Sequence, residues 1–211
     1  MNGYLARQPI LFQGREIFAY ELLFRASPES RAAVVHNDLA ATESVLGNAL
    51  KFVPLSSLLG TAKGFVNCNG DILLGDLPGI LDPNFFVLEI LESVVPNAEL
   101  VAALARLKNS GFDLALDDFV WSEANLKLFG PFFPFLSFVK VDLKANSREA
   151  LQAAAEFFKA EGIALLAEKV ETEAEFQACR SFGYEYFQGY YFAEPDLVLG
   201  PEDLNAGTPK S

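Results

Sequence analysis

The sequence predicts an α/β protein, a modified TIM (β/α)8 barrel in which the first strand runs antiparallel to the second. The main observation is a set of six short apolar segments that end in polar or charged residues and recur every 20 to 28 residues. One strand, one helix and two loops take about that length. The segments end at Asn67, Glu89, Asp117, Lys140, Glu168 and Gln188. A parallel barrel places the carboxyl ends of its strands on one rim, so these residues are expected around one mouth.

The antiparallel first strand is predicted by the N-terminal region. Residues 4–12 and 16–23 are apolar runs separated by a short segment that contains a glycine, which is typical of a β-hairpin. After this hairpin, a helix is predicted from Asp38 or Thr42 to about Phe52.

Strands and helices then alternate along the chain. The strands are solid apolar runs, as expected for parallel strands that are covered on both faces. They are predicted at residues 64–67, 85–89, 113–117, 138–142, 163–167 and 184–188. The helices are predicted at residues 99–109, 123–129, 148–161 and 173–181. Asn97, Ser147 and Thr172 stand where side chains cap the N-termini of three of these helices.

Length and composition indicate one globular domain. The chain has 211 residues, of which 51% are hydrophobic, and this is enough for one sizeable core. Residues 1–199 are expected to form a single barrel domain, and residues 200–211 a flexible C-terminal tail that is rich in Gly, Pro and charge. Cys68 and Cys179 form no metal-binding or disulfide motif and are expected to be buried, reduced thiols.

The net charge restricts the partners. The formal charge is −12 and no basic cluster occurs, so nucleic acids and anionic membranes are not expected as partners. No apolar stretch reaches the roughly 18–20 residues of a membrane helix, and the first ten residues lack the apolar core of a signal peptide, so a cytoplasmic location is expected. An acidic protein can still bind phosphate if divalent cations invert the local field.

The oxygen-bearing residues at the strand ends suit a metal site. Glu21, Asn67 and Glu89 offer the hard oxygen ligands that Mg²⁺ or Mn²⁺ prefers. Asp117 and Asp118 are adjacent, so both can face one ligand only if the strand ends there. Two carboxylates in that position can bridge two divalent cations, an arrangement suited to displacement at phosphorus. The alternative for any one of these residues is that it caps a strand or helix, or faces the solvent, and holds no metal.

Other charged residues are candidates for proton transfer and for charge neutralisation. Lys140 ends an apolar strand and can neutralise a phosphate oxygen at the mouth, or form a structural ion pair with Asp118 or Asp142. Glu168 or Glu171 can take a proton from an attacking water.

Several residues leave two readings open. Arg25 lies four residues after Glu21. Its side chain is expected either to bind a phosphate or to lie on the surface. His36 is the single histidine and is expected to be solvated, which leaves no histidine-based catalysis. Trp121 lines the mouth or packs on the loop. The aromatic segment 129–135 forms either core packing or a dimer contact.

Taken together, the motifs resemble the EAL domain, the bacterial domain that hydrolyses or binds cyclic di-GMP. The resemblance covers about residues 4–195 and consists of blocks that occur in the family's order. The blocks are Gln8-Pro9-Ile10, Tyr20-Glu21-Leu22-Leu23-Phe24-Arg25, Asn67, Glu89, Asp117-Asp118-Phe119, Lys140-Val141-Asp142, Ala167-Glu168-Lys169-Val170-Glu171-Thr172 and Gln188-Gly189-Tyr190.

The resemblance implies roles for individual residues. Two divalent cations, Mg²⁺ or Mn²⁺, would be held by Glu21, Asn67, Glu89, Asp117 and Asp118. Glu168 would be the general base, supported by Lys140 and Glu171. Gln8, Arg25 and Gln188 would help to hold cyclic di-GMP. The implied reaction opens one phosphodiester of the ring and yields linear diguanylate, and the implied fold is the modified barrel predicted above.

The sequence also departs from the family's pattern. Val120-Trp121-Ser122 replaces a Gly-Thr-Gly loop, Leu91 replaces a threonine, and Lys169 replaces a glycine beside the general base. Lys169 could lower the pKa of that base or pair with it and block it. The pattern is most similar to EAL domains that precede an HDOD domain, many of which are thought to signal without hydrolysis.

Three hypotheses follow. The chain is a metal-dependent cyclic di-GMP phosphodiesterase, a catalytically silent module that binds cyclic di-GMP or a protein partner, or a structural remnant without a ligand. Formation of a homodimer and binding of a signalling partner are left open.

Overall fold

The structure is a computed structural model that describes residues 4–25 and 55–199. The helix predicted between Asp38 or Thr42 and Phe52, His36, and the tail at residues 200–211 lie outside the described residues.

Strands and helices alternate as predicted over the described part of the chain. The strands are β1 (Tyr4–Phe12), β2 (Ile17–Arg25), β3 (Lys63–Cys68), β4 (Phe86–Ile90), β5 (Asp113–Phe119), β6 (Phe138–Asp142), β7 (Ala164–Glu168), β8 (Tyr186–Phe187) and β9 (Asp196–Leu199). The α-helices are α1 (Leu55–Leu59), α2 (Gly70–Leu74), α3 (Ala98–Asn109), α4 (Glu123–Phe129), α5 (Arg148–Ala160) and α6 (Glu173–Phe182). Short 3₁₀ helices span Leu77–Ile80 and Phe133–Phe135. None of these helices is long and apolar enough to cross a membrane.

The sheet closes into a barrel of eight strands. Strands β2 to β8 pair in sequence order and run parallel to one another. Strand β1 closes the barrel by pairing antiparallel with β2 along one edge and with β8 along the other. Strand β9 also pairs antiparallel with β1, next to the pairing with β8. The predicted modified TIM barrel with an antiparallel first strand is therefore confirmed.

Local capping interactions explain where the helices begin. The side chains of Asn97 and Ser147 accept hydrogen bonds from backbone amides three residues later, and Ser122 does the same at α4. Thr172 forms a capping box with Glu175, in which each side chain accepts from the other residue's backbone amide. The caps predicted at Asn97, Ser147 and Thr172 are confirmed.

The last barrel strand is shorter than predicted. Strand β8 has two residues, whereas the sequence predicts residues 184–188. The Tyr184 side chain is buried instead in the helical layer, where its hydroxyl group donates to the backbone oxygen of Leu151. From a short apolar run alone, a strand cannot be distinguished from another buried segment, such as one that packs against a helix.

The aromatic segment at residues 129–135 belongs to the core of this chain. Phe129, Phe132 and Phe133 are buried, and the Phe133 ring packs on Phe158 of α5 with 5.3 Å between ring centroids. Trp121 packs on the same helix, 5.7 Å from the Phe157 ring. Packing is therefore the reading that the structure supports for both features.

The interior of the barrel contains an apolar layer that lies directly below the predicted site. On strands β2 to β7, the residue two positions before each predicted site residue is buried and apolar. These residues are Ala19, Phe65, Val87, Ala115, Phe138 and Leu166. Because side chains of a strand alternate between faces, the residues two positions later point into the same interior, one layer nearer the carboxyl ends. The strand period therefore stacks a polar layer on an apolar one.

Cys68 and Cys179 are free and buried, as predicted.

Candidate functional site

The predicted site residues converge at the carboxyl ends of the parallel strands. A cavity of about 630 Å³ opens there, and nine of the eleven residues singled out from the sequence line it. They are Gln8, Glu21, Asn67, Asp117, Asp118, Lys140, Glu168, Glu171 and Gln188. Glu89 is fully buried beneath the cavity and contacts Lys140. The side chain of Arg25 lies outside the described part of the structure.

Lys140 is the centre of the cluster. Its ammonium nitrogen is 2.8 Å from Glu168 Oε1, 2.9 Å from Asp117 Oδ1 and 3.6 Å from Glu21 Oε2, and it also contacts Glu89 Oε1. The lysine is only 1% exposed. The alternative that it pairs with Asp118 or Asp142 is wrong. The strand period aims Lys140 into the barrel interior, where it meets carboxylates from four other strands.

The cluster shifts the pKa values of its carboxyl groups in opposite directions. Burial raises the pKa of Glu89 and that of Glu168 well above the usual value for a glutamate, and neighbouring carboxylates add to this effect although Lys140 opposes it. Burial also works against ionisation of Asp117, but Lys140 outweighs it and the pKa of Asp117 is lowered. For Lys140, burial is outweighed by the surrounding carboxylates, so its pKa is raised well above the usual value. Such divergence separates proton acceptors from permanent charges.

Amide side chains hold Glu21 in place. Asn67 Nδ2 donates to Glu21 Oε1 at 3.1 Å, and Gln188 Nε2 donates to Glu21 Oε2 at 2.6 Å. Gln188 Nε2 also contacts Gln8 Oε1 at 3.0 Å, and Gln8 donates to the backbone oxygen of Ala193. Residues from β1, β2, β3 and the end of β8 are thereby joined, and the amide oxygen of Asn67 is the atom of this side chain that could hold a cation.

A β-bulge brings both aspartates to the mouth. Strand β5 does not end at Asp117 as expected, because it continues to Phe119 with a shift of register between Leu116 and Phe119. Asp118 adopts a φ of 45°, in the left-handed region. A bulge inserts one extra residue and redirects its side chain. Both carboxylates therefore line the cavity without termination of the strand.

Lys169 pairs with aspartates and not with the general base suggested by the resemblance. Its ammonium nitrogen is 2.8 Å from Asp118 Oδ1 and 2.5 Å from Asp142 Oδ2. The expectation that Lys169 acts on Glu168 by direct pairing is therefore wrong. Adjacent residues point in different directions, and a φ of 58° turns Lys169 away from the end of β7.

The segment that replaces the family's glycine-containing loop makes a short connection from β5 to α4. Ser122 caps α4, and the backbone oxygen of Val120 accepts a hydrogen bond from Asn125 Nδ2 at 2.8 Å. Trp121 packs on α5 and does not line the cavity. Leu91, the other replacement, is buried at the cavity wall.

Some residues of the site were not assigned a role from the sequence. Glu92 lines the cavity and offers an oxygen close to those of Asp117 and Asp118. Asp142 holds Lys169. Glu92 follows Glu89 by three residues and lies just past the end of β4. This position next to the barrel mouth is the sequence signal that could have identified Glu92 as a site residue. Glu171, for which the sequence did suggest a role, lies at the exposed rim, 3.1 Å from Lys144.

The donor set fits divalent cations. Glu21, Glu89 and Glu168 each offer an oxygen within 4.8 Å of the others, and a second such group is formed by Glu92, Asp117 and Asp118. Glu89 Oε2 and Glu168 Oε2 are buried and have no hydrogen-bond partner in the part of the chain that is described. One lysine contacts four carboxylates, so negative charge remains in excess, and carboxylate oxygens are the ligands that Mg²⁺ and Mn²⁺ prefer.

The fold and this site define a class of protein, the TIM-type barrels with an acidic mouth at the carboxyl ends of the strands. The EAL domain family profile matches residues 71–195. The chain is a member of the EAL domain family.

Relatives support this assignment over nearly the whole chain. The chain is 37% identical over 217 aligned positions to the cyclic di-GMP phosphodiesterase CdgJ of Vibrio cholerae, covering 96% of this chain and 48% of CdgJ. It is 31% identical over 201 residues to YuxH of Bacillus subtilis, an uncharacterized protein, covering 95% of this chain and 49% of YuxH. The chain therefore spans about half the length of these relatives.

Solved structures share the fold. The EAL domain protein YkuI of Bacillus subtilis, in complex with its substrate cyclic di-GMP and calcium, superimposes with a TM-score of 0.76 at 21% identity, covering 93% of this chain and 56% of YkuI. A manganese and cyclic di-GMP complex of BlrP1 from Klebsiella pneumoniae gives a TM-score of 0.73 at 25% identity, covering 93% of this chain and 56% of BlrP1.

Proposed function

We propose that this chain is a metal-dependent phosphodiesterase domain that opens cyclic di-GMP to linear diguanylate. The observation that carries the proposal is the convergence of carboxylates from Glu21, Glu89, Asp117 and Glu168 around one buried lysine at the barrel mouth. The substrate is inferred from family membership and from the relative that is named a cyclic di-GMP phosphodiesterase.

Two divalent cations, Mg²⁺ or Mn²⁺, are proposed at the two carboxylate groups. Glu21, Asn67, Glu89, Asp117 and Asp118 would hold them. When bound, such cations supply offsetting charge for the phosphodiester and lower the pKa of water. The buried oxygen Glu89 Oε2, which has no hydrogen-bond partner in the described structure, supports this assignment.

Glu168 is proposed as the general base. Burial raises its pKa well above that of an ordinary glutamate, so the carboxylate accepts a proton more readily than an exposed one. Lys140 contacts Glu168 Oε1 at 2.8 Å and orients it, while Oε2 remains available. Glu171, at the exposed rim near Lys144, would assist the attacking water from the other side.

Three residues are proposed to hold the nucleotide, namely Gln8, Arg25 and Gln188. Gln8 and Gln188 are linked by a hydrogen bond and are buried in the cavity wall. Gln188 Oε1 is buried and has no partner among residues 4–25 and 55–199, so it can accept a hydrogen bond from a ligand. The proposal for Arg25 rests on the family resemblance alone.

The first prediction tests the general base. We expect Glu168→Gln to lower the turnover of cyclic di-GMP with Mn²⁺ by at least about 100-fold, because the amide keeps the shape of the side chain but cannot accept the proton. Glu21→Ala is expected to abolish turnover by removing a metal ligand. Linear diguanylate is measured by chromatography. Glu161→Gln, on the exposed end of α5, is the matched control, and a Glu168→Gln variant as active as this control contradicts the assignment.

A second prediction concerns the metal. Ca²⁺ in place of Mg²⁺ or Mn²⁺ is expected to reduce turnover at least about tenfold, because Ca²⁺ takes 6–8 ligands at longer distances and misplaces the reacting groups. Rates are compared at saturating concentrations of each metal. Equal rates with Ca²⁺ and Mg²⁺ are incompatible with this mechanism.

A second candidate function is a silent module that binds cyclic di-GMP or a protein partner. The contact of Lys169 with Asp118 favours it, because Lys169 adds a second cation, besides Lys140, to the carboxylates proposed to hold the metals. Calorimetric binding of cyclic di-GMP without linear product would support this candidate. The absence of both binding and turnover, with and without Mn²⁺, would leave the structural remnant.

Partners and location remain predictions. The net charge of −12 supports the proposal that neither nucleic acid nor an anionic membrane is a partner. A cytoplasmic location, a homodimer and a signalling partner protein remain proposals, as does a single domain spanning residues 1–199 with a flexible tail.

A further inference from the structure

We propose that the ammonium group of Lys169 is a built-in cation that competes with one of the two divalent cations for Asp118. The inference rests on the proposed metal-dependent function and concerns how many metal ions the site retains. In this chain one divalent cation is bound tightly at the buried carboxylates, and the second is bound weakly next to Lys169.

The two groups of carboxylates differ in their surroundings. Glu21, Glu89 and Glu168 are buried, and two of them carry oxygens without a hydrogen-bond partner in the described structure. Asp118 belongs to the second, more exposed group and is paired with Lys169. The first group contacts Lys140 but keeps buried oxygens without a partner in the described structure, whereas Asp118 of the second group contacts a further cation, Lys169.

Lys169 is held in position by a second aspartate. Its nitrogen is 2.5 Å from Asp142 Oδ2. The other oxygen of Asp142 accepts hydrogen bonds from the backbone amides of Lys144 and Ala145 at 2.6 Å and 3.1 Å. Asp142 is therefore fixed by the turn after β6, and it holds the lysine against Asp118. It is a positioning residue for this contact.

The backbone at Lys169 indicates that the contact is specific. Lys169 has a φ of 58° and Asp118 a φ of 45°. The left-handed region is unfavourable for most residues, whereas glycine adopts it freely. Strained residues persist only where the surrounding structure stabilises them. The two ion pairs of Lys169 provide that stabilisation and keep its side chain on Asp118.

Charge repulsion gives the expected effect. A divalent cation that shares Asp118 Oδ1 with Lys169 would lie within about 5 Å of the ammonium nitrogen, given metal–oxygen distances of about 2.1 Å. The Lys169 side chain is 45% exposed, so water weakens the repulsion. At this distance we expect the second cation to lose affinity on the order of tenfold.

The test is a calorimetric titration of the metal-free protein with Mn²⁺, without nucleotide. Lys169→Ala is expected to tighten the weaker Kd at least tenfold, and Lys169→Gly is expected to do the same without backbone strain. Lys169→Arg keeps the charge and is expected to keep the weak site. Lys144→Ala is the matched control, because it removes one positive charge from the neighbouring pairs with Glu171 and Glu175; its weaker Kd is expected to change less than threefold.

Two results would overturn the inference while leaving the proposed function intact. One is an unchanged weaker Kd in both Lys169→Ala and Lys169→Gly, with folding verified by circular dichroism. The other is an equal gain in Lys144→Ala, which would assign the effect to net charge. If neither the wild type nor any variant binds Mn²⁺, the inference and the proposed metal-dependent function both fail.

Discussion

Replacement of Lys140 by Met is expected to lower the free energy of unfolding of the metal-free protein by at least about 3 kcal/mol. Lys140 is buried and contacts Glu21, Glu89, Asp117 and Glu168. Removal of the ammonium group leaves several buried carboxylates without a counter-charge. Loss of one partner in a buried ion pair is among the most destabilising changes known for single residues, since the remaining charge stays desolvated.

The measurement is chemical denaturation with and without Mn²⁺. Because a divalent cation can replace part of the missing charge, Mn²⁺ is expected to raise the stability of Lys140→Met more than that of the wild type. Lys63→Met is the matched control: Lys63 pairs with Asp113 at 2.6 Å, but both side chains are about one-third exposed, so the expected loss is at most about 1 kcal/mol. Equal losses for the two variants would show that Lys140 does not balance the cluster.

Gly189→Ala is expected to destabilise the protein by about 3 kcal/mol and to weaken nucleotide binding at least tenfold. A Cβ atom at this position would lie 2.1 Å from the backbone oxygen of Val170 and 2.3 Å from its nitrogen. These atoms cannot move independently, because Val170 N donates to Gln188 O and Tyr191 N donates to Val170 O. The substitution must therefore separate the end of β7 from the end of β8.

The control separates this overlap from the effect of backbone conformation. Gly162 also has a positive φ, of 72°, but no atom lies within 4 Å of its added Cβ. Gly162→Ala is expected to cost only about 1 kcal/mol, the strain of the left-handed region, and to leave nucleotide affinity unchanged. Stability is measured by denaturation and affinity by calorimetry. If the two variants bind the nucleotide with similar affinity, the close approach of Gly189 to Val170 is not needed for nucleotide binding.

The regular spacing of apolar runs that end in polar residues made the barrel predictable. Phe65 lies two positions before Asn67, and Phe138 two positions before Lys140, so each strand carries its own part of the core layer and of the site layer. Caps such as Thr172 are equally local, because the capping hydrogen bonds join residues three positions apart. Strand positions and helix caps can therefore be predicted without any knowledge of contacts between residues that are distant in sequence.

The bulge at Asp118 and the pairing of Lys169 were not predictable in the same way. Adjacent residues of a regular strand face opposite sides, and no local signal indicates the register shift between Leu116 and Phe119 that brings both aspartates to the cavity. Lys169 is separated from Asp118 by 51 residues and from Asp142 by 27. Its partners depend on the backbone angles at the ends of two strands, and they are Asp118 and Asp142 instead of its neighbour in sequence, Glu168.

The order of the elements, the antiparallel first strand and the residue types at the barrel mouth follow from the sequence alone, because the strand period and the spacing between strands are properties of contiguous segments. The pairing of each lysine with particular carboxylates depends on the folded barrel. Lys140 is placed at the centre of four acids and Lys169 on Asp118. Electrostatic pairing depends on distances between strands that are remote in sequence, and barrel closure alone sets these distances.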